Sequence, residues 1–221
     1  MKINHILRNK GFTLIELLVA MAISGIIMTG IYSAFTTQQD SYFAQDQVAE
    51  MQQNIRAGLY IMTSDIRMVG YDPLNTDKFG VESATGSKFV FTMDLNNNGL
   101  LIPIYSNPGE RLTYELYTPG TDGSALRRIA GQSAVAENIE ELEFYYTLED
   151  DTQTTTPTTA QLDSIRSVEI SILAIAGHSD RNFTNSHTYT SASGVDWTPA
   201  SPDNFRRRFQ TMTVKCRNMG L

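Results

Sequence analysis

Six groups of residues in this sequence have types and spacings that could do chemistry. The first is Gly11-Phe12-Thr13-Leu14-Ile15-Glu16, a glycine that precedes a long apolar run containing one carboxylate. A glycine leaves the backbone open to close approach by another molecule. An acid in a membrane-spanning helix costs on the order of 3 kcal/mol at the centre, less near an end, and marks function. The second group is Asp94-Leu95-Asn96-Asn97-Asn98-Gly99. It places oxygen ligands at positions one, three and five and a glycine at six, as an EF-hand calcium loop does. Leu101 fits position eight, but position twelve is Tyr105 where a bidentate Glu is needed. Asp94, Asn96 and Asn98 are thus a calcium candidate with a single carboxylate. The preferred reading is a plain Asn/Gly turn, with no metal and no other cofactor.

The remaining groups read more plainly. His178, Asp180 and His187 are metal-ligand types, but they lie in a polar stretch without periodic pattern. Glu140, Glu141 and Glu143 read as a solvated strand edge rather than an acid/base pair. Arg206-Arg207-Arg208 reads as a solvated strand start, with a docking patch for an acidic neighbour as the alternative. Cys216 shares a strand face with Met212 and Val214 and reads as buried and inert; as the one cysteine it excludes an internal disulfide and a multi-cysteine metal site. There is no nucleophile elbow, phosphate loop or His-Glu-x-x-His motif, so no catalytic residue is assigned and the chain is expected not to be an enzyme.

The elements that must position these residues begin with residues 12–35, which carry one charge, Glu16. A bilayer core takes about 20 helical residues, so this stretch is long enough to span. It exceeds the h-region of a secretory signal, no A-x-A site follows it, and such a signal does not explain Glu16. Lys2, Arg8 and Lys10 precede it and Asp40 and Asp46 follow it, which places the N-terminus in the cytoplasm and everything after about Thr36 outside. Beyond the apolar run, Val48, Met51, Ile55, Leu59, Met62, Ile66 and Val69 recur at helical spacing. One helix to about residue 70 is expected, roughly 87 Å from Phe12 to Val69. Gly70 and Asp72-Pro73 end it.

After Pro73 the pattern changes to period two. Strands are expected at residues 88–93, 111–117, 125–130, 139–148, 165–175 and 209–216, forming an antiparallel sheet packed on the helix. Turns are expected at residues 96–99, 107–109 and 119–123. Residues 149–160 and 177–204, the latter with Trp197, read as exposed polar loops. The formal net charge is −7, and losing the three cations of residues 1–11 would leave −10. So acidic a surface repels phosphate backbones, and nucleic acid is not expected as a partner of the head.

Residues 10–19, Lys10-Gly11-Phe12-Thr13-Leu14-Ile15-Glu16-Leu17-Leu18-Val19, resemble the prepilin processing motif of type IV pilins and type II secretion pseudopilins. The resemblance implies cleavage between Gly11 and Phe12 by prepilin peptidase, methylation of the Phe12 amine, and a role for Glu16 in assembly. There Glu16 would pair with the amine of a neighbouring subunit, an interaction far stronger in a low-dielectric surrounding than in water. The head segments 112–116, 126–128, 137–144, 165–168 and 213–219 resemble the minor pilin PilW family, which is related to J-type minor pseudopilins. Many major pilins carry a proline in the membrane helix; this chain has none before Pro73.

The implied fold is α+β and type IV pilin-like, a long N-terminal membrane-spanning helix packed on an antiparallel β-sheet head. The implied organisation is a leader at 1–11, a transmembrane and filament-core helix at 12–35, and an extracytoplasmic head at 36–221. The implied function is that of a minor pilin in the initiation and assembly of a type IV pilus. Its implied partners are prepilin peptidase, other minor pilins, the major pilin and the inner membrane. It would be single-pass with a periplasmic head, and later at the pilus or cell surface. A type II secretion minor pseudopilin and a pilus-tip adhesin contacting through 177–204 are the alternatives.

Overall fold

The computed structural model describes residues 11–101, 109–117, 125–128, 133–199 and 201–220. The cationic leader residues, Tyr105, the expected turns at Asn107-Pro108 and 119–123, and the last two residues of the strand expected to reach Ala130 lie outside them. The chain divides into two compact units, residues 1–45 and 46–221. Helix α1, Leu14–Arg67, contributes to both.

In the first unit α1 carries apolar side chains on every face. Its most apolar 18-residue window has a mean hydropathy of 2.2 and no buried residue. Leu14, Ile15, Ile26, Met28 and Tyr32 are all exposed. Some of its hydroxyls are satisfied on the helix backbone: Thr29 donates to Gly25 O at 2.9 Å and Thr37 to Ser33 O at 2.9 Å.

In the second unit the expected stripe is the spine of the core. Met51, Ile55, Leu59, Met62 and Ile66 are buried in one cluster with both large sheets, and Val69 joins them. The helix ends at Arg67 and the chain turns at Gly70, whose φ of +70° is left-handed. That φ favours glycine, and a side chain there would also crowd the Met219 thioether. Asp72 closes the following turn, its Oδ2 accepting from the N–H groups of Thr76 and Asp77.

The β region departs from a single sheet. Strands β1 (Val81–Ala84), β2 (Lys88–Thr92), β3 (Arg111–Tyr117), β4 (Ala125–Arg128) and β5 (Ser133–Ala136) form a five-stranded antiparallel meander. Strands β6 (Ile139–Leu148), β7 (Gln153–Thr154), β8 (Ile165–Ile175) and β11 (Arg207–Lys215) form a second sheet in the order β11-β8-β6-β7. Asn138, at φ 55°, lies between β5 and β6, where the chain passes from one sheet to the other. The sheets meet where Phe144 N–H donates to Gly86 O at 2.8 Å and where Phe89 packs on Phe144 and Tyr146, ring centroids 5.9 and 5.4 Å apart. Short β1 and β5 lack a long alternating run, which is why the sequence pattern misses them.

Residues 177–204 are not a plain exposed loop. They contain a ribbon of β9 (Tyr189–Thr190) and β10 (Asp196–Trp197) and cover the outer face of the second sheet. Trp197 and Tyr189 pack on Phe209 of β11. Asn185 is buried, donating to Phe205 O and Tyr189 Oη. Ser171 of β8 is fully buried and accepts from Ala192 N–H. Residues 149–160 stay largely exposed, with β7 and the start of a 3-10 helix, Thr159–Ser164.

Two arginines of the run, Arg206 and Arg207, are likewise folded inward rather than solvated, while Arg208 stays exposed as expected. The Arg207 side chain, 4% exposed, forks between Glu140 and Asp203, with Nη2 at 2.8 Å from Glu140 Oε1 and 2.7 Å from Asp203 Oδ2. Arg206 pairs with Asp180 at 2.7 Å and lies over the Phe183 ring. Together they fasten the 177–204 excursion to the sheet.

Removing Arg207 strands two carboxylates. Arg207→Ala is expected to destabilise the head by about 3 kcal/mol and Arg206→Ala by less than about 1 kcal/mol, read by thermal unfolding of the full-length protein in detergent. Arg207 also holds the Asp203 carboxyl below its usual range. That contribution is complete above the unfolded carboxylate pKa of about 4 and is lost as pH falls through the lower folded value. Stability is expected to drop on acidification below about pH 4, less steeply in Arg207→Ala.

Candidate functional site

The expected processing site lies at the helix start. Gly11, Phe12 and Thr13 precede α1 in irregular backbone, and Phe12 is 89% exposed. A cleavable bond needs such a stretch, because a helical peptide group is already hydrogen-bonded and cannot extend into a protease cleft.

Glu16 has a local role that the sequence reasoning missed. Thr13 N–H donates to Glu16 Oε2 at 2.8 Å, the Thr13 hydroxyl donates to the same oxygen at 2.8 Å, and Glu16 N–H donates to Thr13 Oγ1 at 3.3 Å. This is a reciprocal capping box, in which Thr13 is the N-cap and Glu16 the third helical residue. The signal was present as Thr-x-x-Glu before an apolar run. The carboxylate also lies at the positive end of a long helix dipole. Glu16 thus fixes where the helix begins, two residues after the expected cut.

The other candidates do not converge. Asp94 is fully buried, and its two oxygens accept from Asn98 N–H at 3.2 Å and Gly99 N–H at 2.9 Å. Asn96 Oδ1 accepts from Asn98 N–H, and Asn98 Oδ1 from Leu100 N–H. Glu110, not singled out from the sequence, brings a second buried carboxylate, whose Oε1 accepts from Leu95 N–H at 3.2 Å. Asn97 and Gly99 are left-handed, as a turn of this type demands. The three oxygen ligands therefore all hold backbone amides.

Asp180 is committed to Arg206, and His187 packs edge-on against Tyr189, centroids 4.9 Å apart. Among the described residues no group of three or more His, Cys, Asp and Glu is placed to hold a metal. Glu143, expected as a solvated edge, is buried and accepts from Ser193 N–H and hydroxyl. Glu140 is taken by Arg207, while Glu141 is exposed. Cys216 is buried, and burial pushes its thiol up to about 12.

The geometry thus offers a capped apolar helix start and a folded head in which Asp94, Asp180, Glu140 and Glu143 are each engaged by partners within the chain. Residues 6–32 match the prokaryotic N-terminal methylation motif, and residues 113–218 match the family described as type IV pilus-assembly protein W. The chain is a PilW-like minor pilin. The PilW match spans β3 through the segment after β11, so it includes the 177–204 excursion and the arginines that fasten it. No curated relative matches the chain at a significant level. Among solved structures, a type IV-like pilin, TTHA1219 from Thermus thermophilus, is similar over 77% of this chain and 98% of its own, at 12% identity and a TM-score of 0.44.

Capping and charge can be separated at Glu16. Glu16→Gln keeps a capping oxygen but loses the charge, whereas Glu16→Val loses both. If the charge serves assembly, both variants are expected to insert in the membrane and both to fail to enter filaments, scored by blotting sheared pili. Normal incorporation of Glu16→Gln with failure of Glu16→Val would assign the role to the cap alone.

Proposed function

We propose that this minor pilin is cut between Gly11 and Phe12 by prepilin peptidase and methylated on Phe12. It then stands in the inner membrane with its N-terminus cytoplasmic and its head periplasmic, until it joins other minor pilins to start or cap a type IV pilus. The observation that carries this reading is the helix of the first unit. It is apolar on all faces, covered by none of the described residues, and opened by a capping box directly after an irregular Gly-Phe bond. Lipid covers such a surface before assembly, and neighbouring helices cover it in a filament. The head is a structural body rather than a reaction vessel. The Asp94 loop serves there as a self-satisfied turn.

Mass spectrometry of the mature protein is expected to find methylated Phe12 at its terminus; an intact Met1 or a cut near Ala34 would refute the processing step. In the full-length protein the unfolding midpoint is expected to be the same in excess calcium and in chelator. A chelator-dependent fall would make Asp94, Asn96 and Asn98 metal ligands instead.

A further inference from the structure

Within the second unit, a groove of about 1440 Å³ runs between one face of α1 and strand β11. Its floor and walls include Leu59, Tyr60, Met68 and Met212, with Tyr60 78% exposed. Arg56, Arg67 and Arg217 also line it, and no Asp or Glu does. None of the three arginine side chains has an ion-pair or hydrogen-bond partner among the described residues. On a chain of net charge −7 this is a local reversal of sign.

The second wall is an open sheet edge. β11 pairs with β8 on one side only. Ala176 N–H donates to Arg206 O at 2.8 Å and Cys216 N–H to Arg166 O at 2.9 Å, and the register between them is unbroken. In an antiparallel ladder the paired residues alternate, so even-numbered residues from 206 to 216 face β8. Phe209, Thr211 and Thr213 therefore turn their N–H and C=O groups to the outer edge, where no backbone partner is present among the described residues. A nine-residue free edge is a template for another strand.

We infer that this groove receives an acidic, extended segment of another subunit of the filament. The segment adds as a strand to β11, its carboxylates meet Arg56, Arg67 and Arg217, and its apolar side chains cover Tyr60 and Met212. The open backbone valence specifies an extended occupant, since a helix satisfies its own amides and has nothing to exchange with that edge. The arginines specify an acidic one. The acidity of the rest of the chain disfavours a nucleic acid in the same place. The inference rests on the filament-subunit reading above and names the partner chemistry for one face of it.

The test uses the full-length chain in cells, with a photoreactive benzoylphenylalanine in place of Tyr60 and sheared filaments as the sample. An adduct is expected that maps to an acidic extended stretch of a different subunit. Arg56→Glu with Arg67→Glu, both on the exposed helix face, is expected to lower its yield about tenfold or more. Thr211→Pro deletes one outward N–H, which an edge strand tolerates, and is expected to lower it about fivefold. Thr211→Val keeps the amide and is expected to leave the yield unchanged. An adduct to a helix, to a nucleic acid or to a second copy of this chain would overturn the inference. So would indifference to the arginine reversals or to Thr211→Pro, or no adduct in filaments that contain the subunit. Absence of the chain from the filaments, read on a separate blot, would remove the filament reading and the inference with it.

Discussion

The stripe of Met51, Ile55, Leu59, Met62 and Ile66 on the outer half of α1 is the contact on which the head depends. Two antiparallel sheets cannot both bury a face unless something lies between or beside them to be buried against. This stripe supplies it. Gly58 shows how close the approach is: a side chain there would stand 3.1 Å from Leu126 and 3.3 Å from Ala136. Asp65 is held in the same seam by the Tyr114 hydroxyl. Five large aliphatic or thioether side chains, each stabilising by about 1.5–3 kcal/mol when fully buried, outweigh any single polar contact in the head.

A second layer of organisation covers the outer face of the β11-β8-β6-β7 sheet. The 177–204 excursion would be a loose polar loop on composition alone. It is ordered by a small number of directed interactions: Arg207 between Glu140 and Asp203, Ser193 on Glu143, and the aromatic rings of Tyr189 and Trp197 on Phe209. A polar excursion fastened in this way can give a pilin head its own outline while leaving the core beneath unchanged. The same sheet leaves its β11 edge open, so cover and contact lie on different parts of one sheet.

The helix of the first unit obeys a different rule. Its large apolar side chains are exposed among the described residues, and its length and hydropathy fit a bilayer. Its first turn carries the one carboxylate of the apolar run, held in the Thr13–Glu16 box. One carboxylate therefore stands at a place where helix start, expected processing and expected subunit pairing all meet. An acid retained in so apolar a segment has several reasons to be there, and the cap is the one made within the chain.

What the sequence determined by itself was everything set by local periodicity and local chemistry. The helix from the apolar run to Arg67, its buried stripe, the stop at Gly70, and strands β3, β6 and β8 follow from spacing, because a period of 3.6 or 2 needs no knowledge of distant residues. The capping box was equally legible, in Thr13-x-x-Glu16. The tertiary structure decided the rest. It divided the strands between two sheets, since short β1 and β5 are specified by pairing rather than by pattern. It buried Ser171 and Glu143 beneath a distant excursion. It turned Arg206 and Arg207 from apparent surface charges into internal clamps, and it brought Glu110 to the Asp94 turn across fifteen residues of chain. A polar side chain reads as exposed until its partner is known, and those partners lie far away in sequence: Arg207 and Glu140 are 67 positions apart, a separation that no local pattern can bridge.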